Sequence, residues 1–194
     1  FNQVLAGLTL ASGAREPGER IASIGVDTWA VDYGLVDDDG ALITLPYSHR
    51  DERGEKAVAA VHQLMDFEHL YSTTGVQFLP FNTLYQYRVD ARLAEADTAL
   101  LIPDLIAFLL TGEAVAERTN ASTTGLLGVT SGEWDTELAD RLGIPSSILP
   151  SLVDPGETIG TLRPGLATRI GKDLPVIAVG SHDTASAVVA TPLS

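Results

Sequence analysis

Apolar and polar positions alternate with two different periods in the first part of the chain, one typical of strands and one typical of helices. Strands are predicted over Ile21–Val26 and Ala30–Val36, and the turn Asp38–Gly40 predicts a hairpin into a third strand. Apolar residues at helical spacing predict a helix over Glu55–Leu70, and residues 1–11 have the pattern of the later turns of an amphipathic helix. This alternation of strands and helices favours an α/β domain.

The remainder of the chain continues the alternation. Gly75 and Pro80 interrupt an apolar loop. Three further helices and one further strand are predicted over 83–97, 100–113, 131–143 and 174–180. The second of these helices is almost wholly apolar, which indicates burial, and Gly112 is positioned to end it. The last strand leads directly into a helix of small residues.

The composition limits the classes of partner and chemistry. A formal net charge of −14, without a cluster of Lys and Arg, argues against binding to nucleic acid or to an anionic membrane. The absence of cysteine excludes disulfides and thiolate nucleophiles, and a reducing cytoplasm is the simplest compartment. No signal peptide or membrane-spanning apolar run is visible. The histidines lack the spacing of a protein-ligated zinc site: His49, His62, His69 and His182.

The first candidate site is the segment GVDTWAVD, in which Asp27 and Asp32 flank Trp29. Apolar ring faces cover the C–H groups of sugars, and carboxylates accept hydrogen bonds from sugar hydroxyls, so this pattern favours a carbohydrate site. In the alternative interpretation Asp27 ends a strand and Trp29 fills the core, as large aromatic residues usually do.

The second candidate site is the apolar loop and the helix after it, where the amides of Gln77, Asn82 and Gln86 lie among aromatic residues. Such a loop could line a pocket for a neutral polyol. The alternative is a buried loop whose amides satisfy backbone groups.

The third candidate site is the sequence Ser181-His182-Asp183-Thr184, between the last strand and the last helix. Open α/β folds bind ligands at the carboxyl ends of their strands, and a helix N-terminus keeps a carboxylate ionised and lies near any arriving phosphate. In the alternative interpretation Ser181 or Asp183 simply caps the helix. A Ser/His/Asp hydrolase is not favoured, because the adjacent side chains of Ser181 and His182 point apart and cannot form a hydrogen-bonded relay.

Six segments resemble the FGGY carbohydrate kinase family in order and interval: GVDTWAVDYGLVDDDG, YSHRDERG, TGVQFLPFNTLYQ, IPDLIAFLLTGE, TNASTTGLL and VGSHDTASAV. The resemblance extends from about Ile21 to Pro192. The segments DTWAVD and QFLPFNTLYQ are most similar to the members that phosphorylate L-rhamnulose at its 1-hydroxyl. The resemblance implies ATP and Mg²⁺ as cofactors, with a kinase for another ketose or polyol, or a noncatalytic sugar-binding module, as the alternatives.

The resemblance also implies a fold and a domain arrangement. The expected fold class is α/β, a ribonuclease-H-like (actin-like ATPase) domain with a mixed sheet flanked by helices and incomplete at both ends. Residues 1–194 are expected to be most of the N-terminal, sugar-binding domain, without its first phosphate-binding hairpin and without the C-terminal domain that binds adenine. The chain alone is therefore expected to be inactive.

Transferred residue by residue, the resemblance implies that Asp183 is the catalytic base and that His182 and Thr184 contact the sugar beside it. Ala30 matches a position that contacts sugar through its backbone, where many relatives have Gly. Trp29, Asp32, Gln77 and Asn82 complete the expected sugar site. No metal ligand is assigned within the chain.

Overall fold

Helices and strands alternate through residues 1–14 and 19–192, which the computed structural model describes. The α-helices are α1 (Asn2–Gly13), α2 (Arg53–Leu64), α3 (Phe67–Thr74), α4 (Thr83–Val89), α5 (Ile102–Thr111), α6 (Arg118–Ala121), α7 (Thr136–Arg141), α8 (Pro164–Ile170) and α9 (Asp183–Ala190). The strands are β1 (Tyr33–Val36), β2 (Thr98–Leu101), β3 (Val115–Glu117), β4 (Ser151–Val153), β5 (Thr158–Thr161) and β6 (Pro175–Ile177). Short 3₁₀ turns lie at Ala91–Glu95, Ser122–Thr124 and Ser146–Ile148.

The strands pair in both senses and form three two-stranded sheets. β1 pairs antiparallel with β2, β3 pairs parallel with β4, and β5 pairs antiparallel with β6. Single parallel bridges join Ile24 to Val176 and Thr28 to His182. The segment before β1 therefore runs alongside β6 and reaches the start of α9.

The two strands predicted in the first part of the chain are much shorter in the structure. Within Ile21–Val26, Ile24 pairs through a single bridge, and the strand predicted from Ala30 begins at Tyr33. Val31 interrupts the extended backbone because its φ is 70°. The predicted hairpin turn is confirmed: Gly40 has a φ of 76°, and Leu42 bridges back to Val36.

Two predicted helices are each divided in the structure, and an aspartate marks each break. The helix predicted over Glu55–Leu70 is α2 and α3, because Met65 is extended and the Asp66 carboxylate caps α3 by accepting the His69 N–H. The helix predicted over 83–97 is α4 followed by a 3₁₀ turn, in which the Arg92 N–H donates to the Asp90 carboxylate. A local cap outweighs continued helical spacing at both places.

Helix α5 is the buried helix that the apolar run predicts, and Gly112 ends it with a φ of 97°. One of its faces, with Ala107 and Leu110, packs into a core shared with α1, β6 and α8. Its opposite face, with Leu105 and Phe108, packs against β1 and β2. The largest apolar cluster lies on the other side of β1, among α2, α3, α4 and α7. No helix within the described ranges is long and apolar enough to cross a bilayer.

Candidate active site

Backbone pairing brings the first and third candidate sites together. The Thr28 N–H donates to the Ser181 carbonyl at 3.0 Å, and the Asp183 N–H donates to the Thr28 carbonyl at 2.9 Å. Trp29 follows Thr28 directly, so the aromatic residue of the first segment leaves the pairing beside His182. Two segments about 150 residues apart in sequence thus meet at one edge of the fold.

A left-handed turn at Val31 brings in the second candidate site. Its carbonyl accepts the Thr83 hydroxyl at 3.0 Å and the Gln86 side-chain amide at 3.1 Å. The same Gln86 amide also donates to the Phe81 carbonyl at 2.8 Å. Thr83 and Gln86 are buried on α4, so this helix holds the turn that follows Trp29 and Ala30.

These contacts shape an open cavity of about 420 Å³. Five of the predicted site residues line it: Trp29, Ala30, Gln77, Asn82 and His182. Its other lining residues are Val31, His49, Val76, Leu79, Phe81, Ser122 and Thr123. The cavity is therefore apolar for much of its wall, with amide, hydroxyl and imidazole groups in between, and its volume is within the range of small-molecule sites.

Trp29 does not fill the core, contrary to the alternative interpretation of the first segment. It is 49% exposed and forms a wall between the cavity and a neighbouring open depression. Its indole N–H donates to an Asp32 carboxylate oxygen at 2.8 Å. The other oxygen of Asp32 accepts the backbone N–H of His49 at 2.7 Å and contacts its ring Nδ1 at 3.0 Å.

Asp32 is thus a buried carboxylate that holds two residues of the cavity wall. It is 4% exposed and lines the neighbouring depression rather than the cavity itself. Its contact with a sugar stays a prediction. The exposed Asp27 earlier in the same segment lines neither space.

Asp183 is the first residue of α9 rather than its cap. The N-cap position belongs to His182, whose side chain makes no capping bond, and the Ser181 hydroxyl donates to Glu117. One Asp183 carboxylate oxygen accepts the Thr184 N–H at 2.7 Å and lies 3.4 Å from His182 Nε2. The Asp183 side chain is 58% exposed. Neither Asp183 nor Thr184 is among the described residues that line the cavity, although His182 is.

The amides of the second candidate site have divided roles. Asn82 is buried and donates to the Gln77 carbonyl at 2.9 Å, and Gln86 bonds to backbone carbonyls, as the structural alternative for this loop predicts. The Gln77 side chain is exposed on the cavity wall. The loop therefore combines internal support with a surface available to a ligand.

Among the lining residues that were not predicted site residues, three carry polar side chains: His49, Ser122 and Thr123. His49 packs against Phe81, with 5.4 Å between ring centroids. All three lie in segments that carry the family resemblance, YSHRDERG and TNASTTGLL. That resemblance was the available signal, because a single histidine or a pair of hydroxyl residues has no distinctive spacing.

A network of charged side chains, formed by Arg53, Asp90 and Arg92, contacts Gln86 next to the cavity wall. The Arg53 guanidinium lies 4.3 Å from the Tyr47 ring centroid, donates to the Gln86 side-chain oxygen at 2.8 Å and contacts Asp90 at 3.3 Å. Burial acts to raise the pKa of Asp90, but hydrogen bonds from Arg92 and other donors outweigh it and hold that pKa below its ordinary value. Asp90 is therefore an ionised anchor for the arginines.

Comparison with known protein families assigns the chain to one of them. The chain belongs to the FGGY family of carbohydrate kinases, because residues 6–190 match the sequence model of the N-terminal domain of this family.

Among curated proteins, the chain is similar to rhamnulokinases. It is 45% identical over 183 residues to the rhamnulokinase of Enterococcus faecalis, which covers 92% of this chain and 37% of that protein. It is 48% identical over 176 residues to the rhamnulokinase of Pectobacterium atrosepticum, which covers 88% of this chain and 35% of that protein. The chain spans little more than a third of the length of these relatives.

Solved structures confirm the predicted fold class. A ligand-bound xylulose kinase from Lactobacillus acidophilus matches with a TM-score of 0.81 at 22% identity, covering 93% of this chain and 38% of that one. A xylulose kinase from Rhodospirillum rubrum matches with a TM-score of 0.80 at 26% identity, covering 89% and 37%. The chain therefore has the α/β, ribonuclease-H-like (actin-like ATPase) fold of sugar kinases.

Proposed function

We propose that the protein containing this chain transfers the γ-phosphoryl group of ATP to the 1-hydroxyl of L-rhamnulose, and that this chain supplies the sugar site and the base. The observation that carries the proposal is the cavity in which Trp29, Ala30, Gln77 and Asn82 meet His182, the residue before Asp183. The similarity to proteins named rhamnulokinase at 45% and 48% identity favours L-rhamnulose among the sugars.

The chemistry of the cavity wall suits a deoxy-ketose. Trp29, Val76, Leu79 and Phe81 provide apolar surface for C–H groups and for the C6 methyl of L-rhamnulose. Gln77 and His182 provide groups that can donate to or accept from hydroxyls. A neutral polyol needs no cationic site, which agrees with the acidic composition of the chain.

Asp183 is proposed as the general base. Its exposed carboxylate accepts the proton of the sugar 1-hydroxyl as that oxygen attacks the γ-phosphorus; the new O–P bond forms as the bond to the ADP leaving group breaks. Because the transition state of phosphoryl transfer is loose, Asp183 needs to orient the hydroxyl more than to be strongly basic. It lies in the first turn of α9, at the positive end of the helix dipole.

ATP and Mg²⁺ belong to the proposal for the whole protein. The described residues contain no group of three or more His, Cys, Asp or Glu side chains that could hold a metal ion. No step assigned to this chain depends on a metal ion held by residues 1–14 and 19–192.

The test is Asp183→Asn in a full-length protein containing this chain, measured in a coupled kinase assay. Asn keeps the shape of the side chain and its bond to the Thr184 N–H, so the fold and much of the sugar affinity should remain. Loss of a general base should lower kcat by at least about a hundredfold.

Glu137→Gln is the matched control, because Glu137 is an exposed acid in the first turn of α7. It should leave kcat unchanged. A near-normal kcat for Asp183→Asn, or a loss explained by unfolding, would remove Asp183 from the reaction. A panel of ketoses and polyols in the same assay separates L-rhamnulose from the other sugars. If none of them is phosphorylated, the alternative of a noncatalytic sugar-binding module is favoured.

A further inference from the structure

Glu117 is a buried acid with an unusual number of hydrogen bonds. It is the last residue of β3 and the N-cap of α6, and it is 1% exposed. Its carboxylate accepts five hydrogen bonds, two from Thr119, one from Asn120 and two from Ser181. Nothing in the proposed reaction uses this residue directly.

The bonds of Glu117 join two separate parts of the fold. On one side Oε1 accepts the Thr119 N–H at 2.7 Å, which caps α6. On the other side Oε2 accepts both the N–H and the hydroxyl of Ser181 at 2.9 Å. Ser181 is 3% exposed and directly precedes His182 and Asp183.

The segment Ser181–Asp183 is consequently held from two directions. Thr28 bonds the Ser181 carbonyl and the Asp183 N–H from the strand side, while Glu117 bonds the Ser181 N–H and hydroxyl from within the core. The Asp183 side chain is largely exposed and, among the described residues, has only local contacts, to His182 and Thr184. These backbone bonds therefore fix the backbone position from which its carboxylate extends. A small shift of Ser181 would move both His182 and Asp183.

The negative charge of Glu117 is part of this arrangement, because the carboxylate accepts each of the five bonds. Charge-assisted bonds of this type are stronger than neutral ones. The neighbouring Asp104 accepts the Glu117 backbone N–H at 3.1 Å and lies with Glu117 and Ser181 around a small internal space of about 10 Å³. Burial raises the pKa of Asp104 well above its ordinary value; the Glu117 backbone N–H acts to lower that pKa, and the charge of the nearby Glu117 side chain adds to the rise.

We propose that Glu117 is a positioning residue for phosphoryl transfer, which acts through Ser181 to fix His182 at the cavity and Asp183 beside it. This inference rests on the proposed function, since it assigns Glu117 a part in the same reaction. It predicts a loss of rate rather than of sugar binding, because correct alignment of the base matters most at the transition state.

The experiment compares Glu117→Gln with Asp135→Asn in a full-length protein containing this chain. Gln has one acceptor oxygen and one NH₂ group, so its NH₂ group must face at least one of the N–H or O–H groups that donate to Glu117. Asp135 is the matched control, since it also caps a helix by accepting a backbone N–H, from Leu138 at 2.8 Å, but it lies at α7. For Glu117→Gln we expect kcat to fall at least about tenfold with KM for the sugar changed less than about threefold. The control should keep both constants.

Hydrogen exchange of the unliganded protein provides a readout that does not depend on activity. The Ser181 and Asp183 amides should exchange at least about tenfold faster in Glu117→Gln, which corresponds to loss of about one to two hydrogen bonds, and should be unchanged in Asp135→Asn. If the unaltered protein phosphorylates no sugar, the proposed function fails, and the exchange rates alone decide whether Glu117 holds this segment.

Unchanged exchange at Ser181 and Asp183, or an unchanged kcat in an active protein, would overturn the inference. If Glu117→Gln does not fold, Ser181→Ala removes one of the five bonds and keeps the backbone one. It should then give a smaller fall in kcat, about two- to fivefold, with faster exchange at Asp183 and little change in KM. If kcat and the exchange rate at Asp183 are both unchanged in Ser181→Ala, the inference is likewise overturned.

Discussion

Val31 allows a sharp test of the left-handed turn that shapes the cavity wall. Its φ of 70° is unfavourable for a β-branched residue, and its side chain is 8% exposed. We expect Val31→Gly to be more stable than Val31→Ala, the reverse of the usual order. The left-handed conformation costs a residue with a Cβ about 1–2 kcal/mol, and Gly avoids that cost.

The net difference follows from two opposing effects. Gly loses more chain entropy on folding than Ala, by about 0.5–1 kcal/mol. Subtracting this from the cost of the left-handed conformation leaves the Gly variant more stable by about 0.5–1 kcal/mol. Both variants lose the buried methyl groups of Val31, so both should be less stable than the unaltered protein by about 1–2 kcal/mol or less.

The assay is urea unfolding of a full-length protein containing this chain, with the same pair of substitutions at Val36 as the control. Val36 is equally buried, at 3% exposure, but lies in the extended strand β1. Val36→Gly should be less stable than Val36→Ala by about 0.5–1 kcal/mol. If Gly is also the less stable residue at position 31, the left-handed turn is not a source of strain and the reasoning is refuted.

Two further predictions concern specificity and pH. Trp29→Ala should raise KM for L-rhamnulose about fivefold and raise KM for D-xylulose, which has no C6 methyl, by less, because burying one methyl contributes about 1 kcal/mol; equal losses in a steady-state comparison would reject a discriminating role for Trp29. Asp104 keeps its proton in the folded state at pH values where the unfolded chain has released it, so it lowers stability as pH rises towards its raised pKa. Asp104→Asn should remove this dependence of the free energy of unfolding on pH. If that free energy changes equally between pH 5 and pH 8 in the variant and in the unaltered protein, the prediction is contradicted.

Much of the fold could be predicted because it depends on local signals. The apolar run of α5, its terminal Gly112 and the hairpin turn at Asp38–Gly40 each act over a few residues. The divided helices were missed because spacing continues through the breaks, and the caps at Asp66 and Asp90 decide the outcome. β2 was missed because its apolar residues continue directly into α5.

Five lining residues of the candidate cavity could be predicted from the sequence, but the assembly of the cavity could not. Trp29, Asn82 and His182 carry recognisable chemistry in sequence, whereas the turn at Val31 that brings them together depends on the distant α4. Glu117 has no distinctive sequence signal, because the two bonds that tie it to Ser181 join residues that only the tertiary structure makes neighbours. Long-range hydrogen bonds of this kind are invisible to any local pattern.

The bond between the Trp29 indole and Asp32 has a thermodynamic consequence for binding. An exposed aromatic side chain normally loses rotamer freedom when a ligand orders it, at a cost of about 0.5–1.5 kcal/mol. Trp29 is 49% exposed but already tied by its N–H at 2.8 Å to a carboxylate that is itself fixed by His49. The wall is therefore preorganised, and a sugar that stacks on it meets a ring whose entropy was lost during folding. For a sugar that stacks on Trp29, we expect this preorganisation to lower the dissociation constant by about two- to tenfold without adding any contact.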